Sequence, residues 1–162
     1  MTAKKTKIKT TKLDSSLKRQ QKRAEDIVKI WKPILSLNDW CVSIKVCEAE
    51  KLKNQCGDVV LGSCHSIHER KIASILILRE EDSIQLYEAF EVGTAKWHDS
   101  TNVEITILHE LIHSVINPMT VFTIKKGDQE HFRSAMEVVV NQLTKVLYTQ
   151  RYGHYLKGEG VL

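Results

Sequence analysis

Ile105-Thr106-Ile107-Leu108-His109-Glu110-Leu111-Ile112-His113-Ser114-Val115-Ile116 is the stretch whose reading decides the fold. Its length and dense apolar content predict a buried helix. His109 and His113 stand four apart, so both project from one helical face. Their imidazole nitrogens can converge on one Zn²⁺, and Glu110 can reach a water on that ion.

The spacing is His-Glu-x-x-His, the arrangement that zinc hydrolases use. With 7 His in 162 residues, it arises by accident in about 2% of chains of this composition. The setting argues further against accident. Two histidines and a carboxylate among apolar residues are costly to bury unless something pairs with them.

A catalytic zinc takes three protein ligands and keeps one open position. One known solution places the third ligand six residues after the second His, with a Gly between. Positions 116 and 119 are Ile116 and Met119, which excludes it. The other solution is a Glu on a following helix. Three residues offer themselves there: Glu130, His131 and Glu137. Glu130 lies in the first turn after the cap Asp128, where the helix dipole already favours an acid. Glu137 interrupts the apolar run Ala135-Met136-(Glu137)-Val138-Val139-Val140 and is the preferred candidate. Asn141, one turn further, could orient a ligand, although a solvated Asn is the plainer reading. His98 is a further candidate for approaching metal or substrate.

Working outward, Asp99 to Asn102 offers caps for the motif helix, and Asn117-Pro118 ends it. Gln129 to Gln150 reads as a last helix, with Phe132, Ala135, Met136, Val139, Leu143, Val146 and Leu147 as its core face. Upstream, Trp40–Val46, Val59–Cys64 and Lys71–Leu78 read as strands. Val42, Ile44 and Val46 share one face of the first, and the apolar run of the third suggests burial on both faces. His65 to Arg70 is polar and turn-like, which suggests an antiparallel pair. Leu17 to Leu37 reads as an amphipathic helix ended or kinked by Pro33. A short helix over Glu80 to Phe90 completes the series.

Length and composition allow one domain. Hydrophobic content of 42% suffices for a single core, and no apolar run approaches the ~20 residues of a membrane span. Without an apolar leader, the expectation is a soluble cytoplasmic protein that makes no use of a membrane. Cys41, Cys47, Cys56 and Cys64 include no C-x-x-C pair, so a zinc ribbon fails and free thiols are the default. A Cys56–Cys64 disulfide stays open.

Charge is uneven. Residues 1–23 carry nine Lys/Arg against Asp14, which makes that segment +8 and leaves −4 for the rest of the +4 chain. Met1 to Lys12 holds little apolar material, so residues 1–23 are expected as a basic disordered tail. Such a tail could bind nucleic acid or an acidic partner. The domain proper is then 24–150, and 151–162, with its glycines, is a frayed end.

Taken together, residues 25–150 resemble the small zincin-like metallopeptidase domains of phages and prophages, minimal relatives of the gluzincins. The resemblance rests on the strand opening with Trp40, the Gly62-centred segment before the apolar strand Ile72 to Leu78, the His109-Glu110-Leu111-Ile112-His113 helix, and the last helix with Glu137. Only the His-Glu-x-x-His element is specific. It implies an α+β zincin-like fold: N-terminal helix, small mainly antiparallel sheet, motif helix and C-terminal helix. It also implies His109, His113 and Glu137 as zinc ligands and Glu110 as general base. The implied activity is peptide-bond hydrolysis through a zinc-activated water, in the host cytoplasm if the chain is phage-encoded. His98, Tyr148 and His131 are candidates for an added oxyanion donor. Cys64 to Leu78 is expected to contain an edge that aligns peptide. Two other readings stand beside it: a silent zinc-fold binding module, and a nucleic-acid-associated protein anchored by its basic tail.

Overall fold

β3 (Ile72–Leu78) is the centre of a three-stranded sheet, flanked by β1 (Cys41–Cys47) and β2 (Gly62–Ile67) in the order β1-β3-β2. The computed structural model describes residues 4–54, 57–83, 102–116 and 129–153. β1 runs parallel to β3 and β2 antiparallel, so the sheet is mixed rather than mainly antiparallel. The reason is the route of the chain. β2 and β3 form a hairpin through a 3-10 turn at His68–Arg70 and a left-handed Lys71. The 48–61 connection carries the chain from β1 across to the far side of β3.

β2 lies three residues later than expected, and Val59 makes only an isolated bridge to Lys53. The stretch 65–67 is strand, not turn. Its polar residues reflect alternation on a sheet with one solvated face: Ser63 and His65 are exposed, while Cys64 and Ser66 are partly buried. The same alternation corrects the reading of β3. Ala73, Ile75 and Ile77 are buried on the inner face, whereas Ile72 and Ser74 are exposed. Among the described residues the outer face is covered at its far end, where Leu52, Val59 and Val60 pack on Cys47, Leu76 and Leu78.

Helix α1 (Lys4–Ile34) lies on the inner face through Ala24, Ile27, Val28 and Trp31. It begins well before residue 24. The segment 4–23, expected to be disordered, is helical, and its second half is tied to the domain. Leu17 packs on the core. Gln20 donates to the Glu81 carboxylate at 2.9 Å, and Arg23 pairs with Glu80 at 2.7 Å. These contacts supply enthalpy that a charge-rich segment lacks in isolation. The helix ends in a Schellman motif: Leu37 N–H donates to Lys32 C=O and Ser36 N–H to Pro33 C=O, with Ser36 left-handed at φ 57°. Pro33 thus sits in the last turn without kinking the helix interior.

α1 also closes one sheet edge. The Gln21 amide donates to Ile44 C=O (2.8 Å) and accepts from Val46 N–H (2.9 Å), taking the place of a further strand on β1. Helix α2 (Val103–Ile116) carries the motif and is buried on nearly all sides. Helix α3 (Gln129–Tyr152) packs on α2. The architecture is therefore α+β. Residues 80–83 begin a helical turn, while the rest of the expected Glu80–Phe90 helix, the loops 93–101 and 119–127, and the chain after 153 lie outside the described residues. No helix among the described residues is long and apolar enough to cross a membrane.

Candidate metal centre

Asn102 opens α2 as its N-cap, accepting the Glu104 N–H at 3.0 Å. Glu104 in the first turn then joins all three helices. Its carboxylate accepts from Trp31 Nε1 (2.9 Å) on α1 and from the Tyr152 hydroxyl (2.6 Å) on α3. Asn102 Nδ2 also donates to the Tyr148 hydroxyl at 3.1 Å. These bonds fix the C-terminal end of α3 against the start of α2. The two helices therefore run antiparallel, and the middle of α3 comes to lie over the middle of α2.

There His109, His113 and Glu137 meet. The two Nε2 atoms are 3.0 Å apart, and each lies 3.3 Å from a Glu137 carboxylate oxygen. Bonds of about 2.0–2.1 Å to a tetrahedral zinc set neighbouring ligand atoms about 3.3–3.4 Å apart. The contacts, one imidazole to each Glu137 oxygen, are of that order, and two imidazoles with one carboxylate are a donor set of catalytic zinc sites. No other group of three or more His, Cys, Asp or Glu among the described residues converges this way. Hydrogen bonds from His109 and His113 hold Glu137 far below the usual carboxylate range. Burial alone would lower His113, but Glu137 beside it prevails and raises it.

Glu137 and the expected apolar face lie on opposite sides of the last helix, so both cannot point inward. Glu137, itself half-exposed, faces the histidines, and the positions one, two and three turns on, Val140, Thr144 and Tyr148, are buried. Val139, Leu143 and Val146, expected as core, are 46%, 39% and 57% exposed. Their apolar character misled the reading, because the core face of α3 is partly polar.

Glu110 is 7% exposed, and its carboxylate lies against the β2 strand of the sheet. Burial pushes its carboxyl up to about 7. The β2 backbone lies directly against it: a Cβ at Gly62 would stand 2.6 Å from Glu110 Oε1. Two residues on, Cys64 Sγ lies 3.1 Å from Ser114 Oγ, four residues after Glu110. Two strand residues and four helical residues both advance about 6–7 Å, so β2 and α2 stay in step. Burial pushes the Cys64 thiol up to about 11, and Cys64 is free, not disulfide-bonded. Gly62 as clearance for Glu110 and the Cys64–Ser114 contact were not singled out from sequence. The small residues at alternate positions 62, 64 and 66 were the available signal.

The hydrogen-bond register of β2 follows from one contact. Leu78 N–H donates to Leu61 C=O at 2.9 Å, continuing the β2–β3 ladder. Alternation then turns the backbone groups of Ser63 and His65 towards β3, and those of Gly62 and Cys64 away from it. β2, inside the expected 64–78 stretch for its last four residues, is thus an edge strand, whereas β3 is central.

Other candidates separate. His131 is exposed on α3 and stands apart from the converging triangle. Tyr148 accepts a hydrogen bond from Asn102, seven residues before His109. Asn141 is exposed. His98, and the side chain of Glu130, lie outside the described residues. No protein-family model matches this chain, and neither a curated protein nor a solved structure is similar to it.

Proposed function

We propose that this chain is a zinc-dependent peptidase with His109, His113 and Glu137 as ligands and Glu110 as general base. The observation that carries the reading is the convergence of His109, His113 and Glu137 within metal-binding reach, beside a buried carboxylate at the second motif position. When bound, zinc supplies Lewis-acid polarisation of a scissile carbonyl and acidifies water.

The chain's own residues do the rest. Glu110, with its proton affinity raised to about 7, accepts a proton from the attacking water near neutral pH and passes it to the leaving amine. Gly62 leaves the room in which that carboxylate can move. An extended substrate segment can pair with the outward backbone groups of Gly62 and Cys64, because the opposite edge on β1 is already occupied by Gln21.

The test is metal content and turnover measured together. Wild type is expected to hold one zinc per chain and to cleave an unfolded protein such as casein. Glu137→Ala should lose the metal, and Glu110→Gln should keep it and lose cleavage by at least about 10²-fold. A wild type that takes up no zinc when resupplied would sink the proposal. Zinc without cleavage would leave a binding module.

A further inference from the structure

The basic segment is not a loose tail but the first two-thirds of a helix whose remainder is a core element. Lys18, Arg19, Lys22 and Arg23 are exposed, while Leu17, Ala24, Val28 and Trp31 turn to the domain. At 100° per residue, every Lys/Arg position from 4 to 23 except Lys9 falls in a sector of about 160° that excludes those core-facing positions. The nine cations span about 29 Å of one helix axis. Acids are scarce on the way: Asp14 alone precedes Glu25. We propose that this face of α1 is a docking surface for the phosphate backbone of duplex nucleic acid, independent of the zinc chemistry.

Three observations choose the partner. Residues 1–30 contain no Phe, Tyr or Trp, so the segment has nothing on which unpaired bases could stack. A membrane-surface helix needs an apolar face to insert; from Leu17 on that face is packed against the core, and before it stand Thr6, Thr10 and Leu13. Cationic positions spread along one helix axis instead suit the regular charge of a duplex, about one per 1.7 Å. The contacts go to phosphates, so recognition is independent of sequence. The remainder of the chain carries −4 and is repelled by the same polyanion. The helix face therefore docks while the acidic remainder of the chain is held off the nucleic acid.

The experiment is fluorescence anisotropy of a labelled 24-base-pair DNA duplex of mixed sequence titrated with the full chain. Binding at 50 mM salt should weaken about 10³–10⁴-fold by 200 mM, as expected for five to eight phosphate contacts. A variant carrying Lys4→Gln, Lys5→Gln, Lys7→Gln, Lys9→Gln and Lys12→Gln keeps helix-favouring residues, and should bind at least 30-fold more weakly with a shallower salt slope. Lys18→Gln with Lys22→Gln should weaken it too. Lys51→Gln with Lys53→Gln, exposed on the other side of the sheet, should not. Glu110→Gln should bind like wild type, which separates this proposal from the peptidase reading. No salt-sensitive binding, equal binding by the five-site variant, or tighter binding to phosphatidylserine vesicles than to duplex would overturn it.

Discussion

Gly62 and Glu110 form the contact on which the proposed chemistry is most sensitive at the scale of single residues. A methyl group at 62 would lie 2.6–3.0 Å from three atoms of the Glu110 side chain. Gly62→Ala is therefore expected to push the carboxylate aside, lowering kcat about 10²-fold while zinc content stays at the wild-type level. Metal analysis beside steady-state kinetics checks both halves. The buried carboxyl also makes a pH prediction for the chelated protein. Glu110 titrates at 4.5 when exposed and at about 7 when folded. Between those values the folded chain holds a proton that the unfolded chain releases, so stability falls as pH rises through the window. Glu110→Gln does not titrate. Its advantage over wild type in EDTA should be near zero at pH 4.5 and grow to at most about 3 kcal/mol above pH 7, read by urea denaturation. An advantage independent of pH would refute the burial argument. The two histidines and Glu110 were legible in the sequence, because spacing and helical geometry alone place them. The role of Gly62 was not, since only the approach of β2 to α2 gives the missing side chain a purpose.

Among the elements, α1 shows how a helix can serve the core, a sheet edge and a surface at once. Its end is suboptimal. Ser36 occupies the left-handed position of the Schellman motif, where glycine carries no steric penalty. Ser36→Gly is expected to stabilise the chain by about 0.5–1 kcal/mol, measured as a rise of a few degrees in Tm. A fall in Tm would mean that the Ser36 side chain contributes more than its backbone costs. α3 teaches the opposite lesson about reading sequences. Period alone favoured Val139, Leu143 and Val146 as the inner face, but hydrophobicity competes with the demand of Glu137 for two histidines. In the folded chain the charged contact and the small polar Thr144 face inward, with the Thr144 hydroxyl donating to Val140 C=O at 2.8 Å.

For the molecule as a whole, polar contacts tie α2 to α3 through the Glu104–Tyr152 and Asn102–Tyr148 bonds at one end and the His–His–Glu cluster in the middle. A metal in the triangle would add a link that only the folded chain can make. EDTA is accordingly expected to lower the Tm of wild type; free zinc at 1,000 times its Kd corresponds to about 4 kcal/mol. The Tm of Glu137→Ala should not respond to EDTA, and calorimetry with and without chelator decides it. The sequence by itself determined the α+β class, the motif helix with its N-cap, and the convergence of His109 and His113, because these depend on periodicity and spacing within one element. Only the tertiary structure decided the mixed sheet, which face of α3 turns inward, and the helical state of residues 4–23. Each of those depends on which distant groups meet: β3 choosing two neighbours, Glu137 finding two imidazoles, and Gln20 and Arg23 finding Glu81 and Glu80. No local pattern encodes such pairings, since their free energy exists only once the chain has folded.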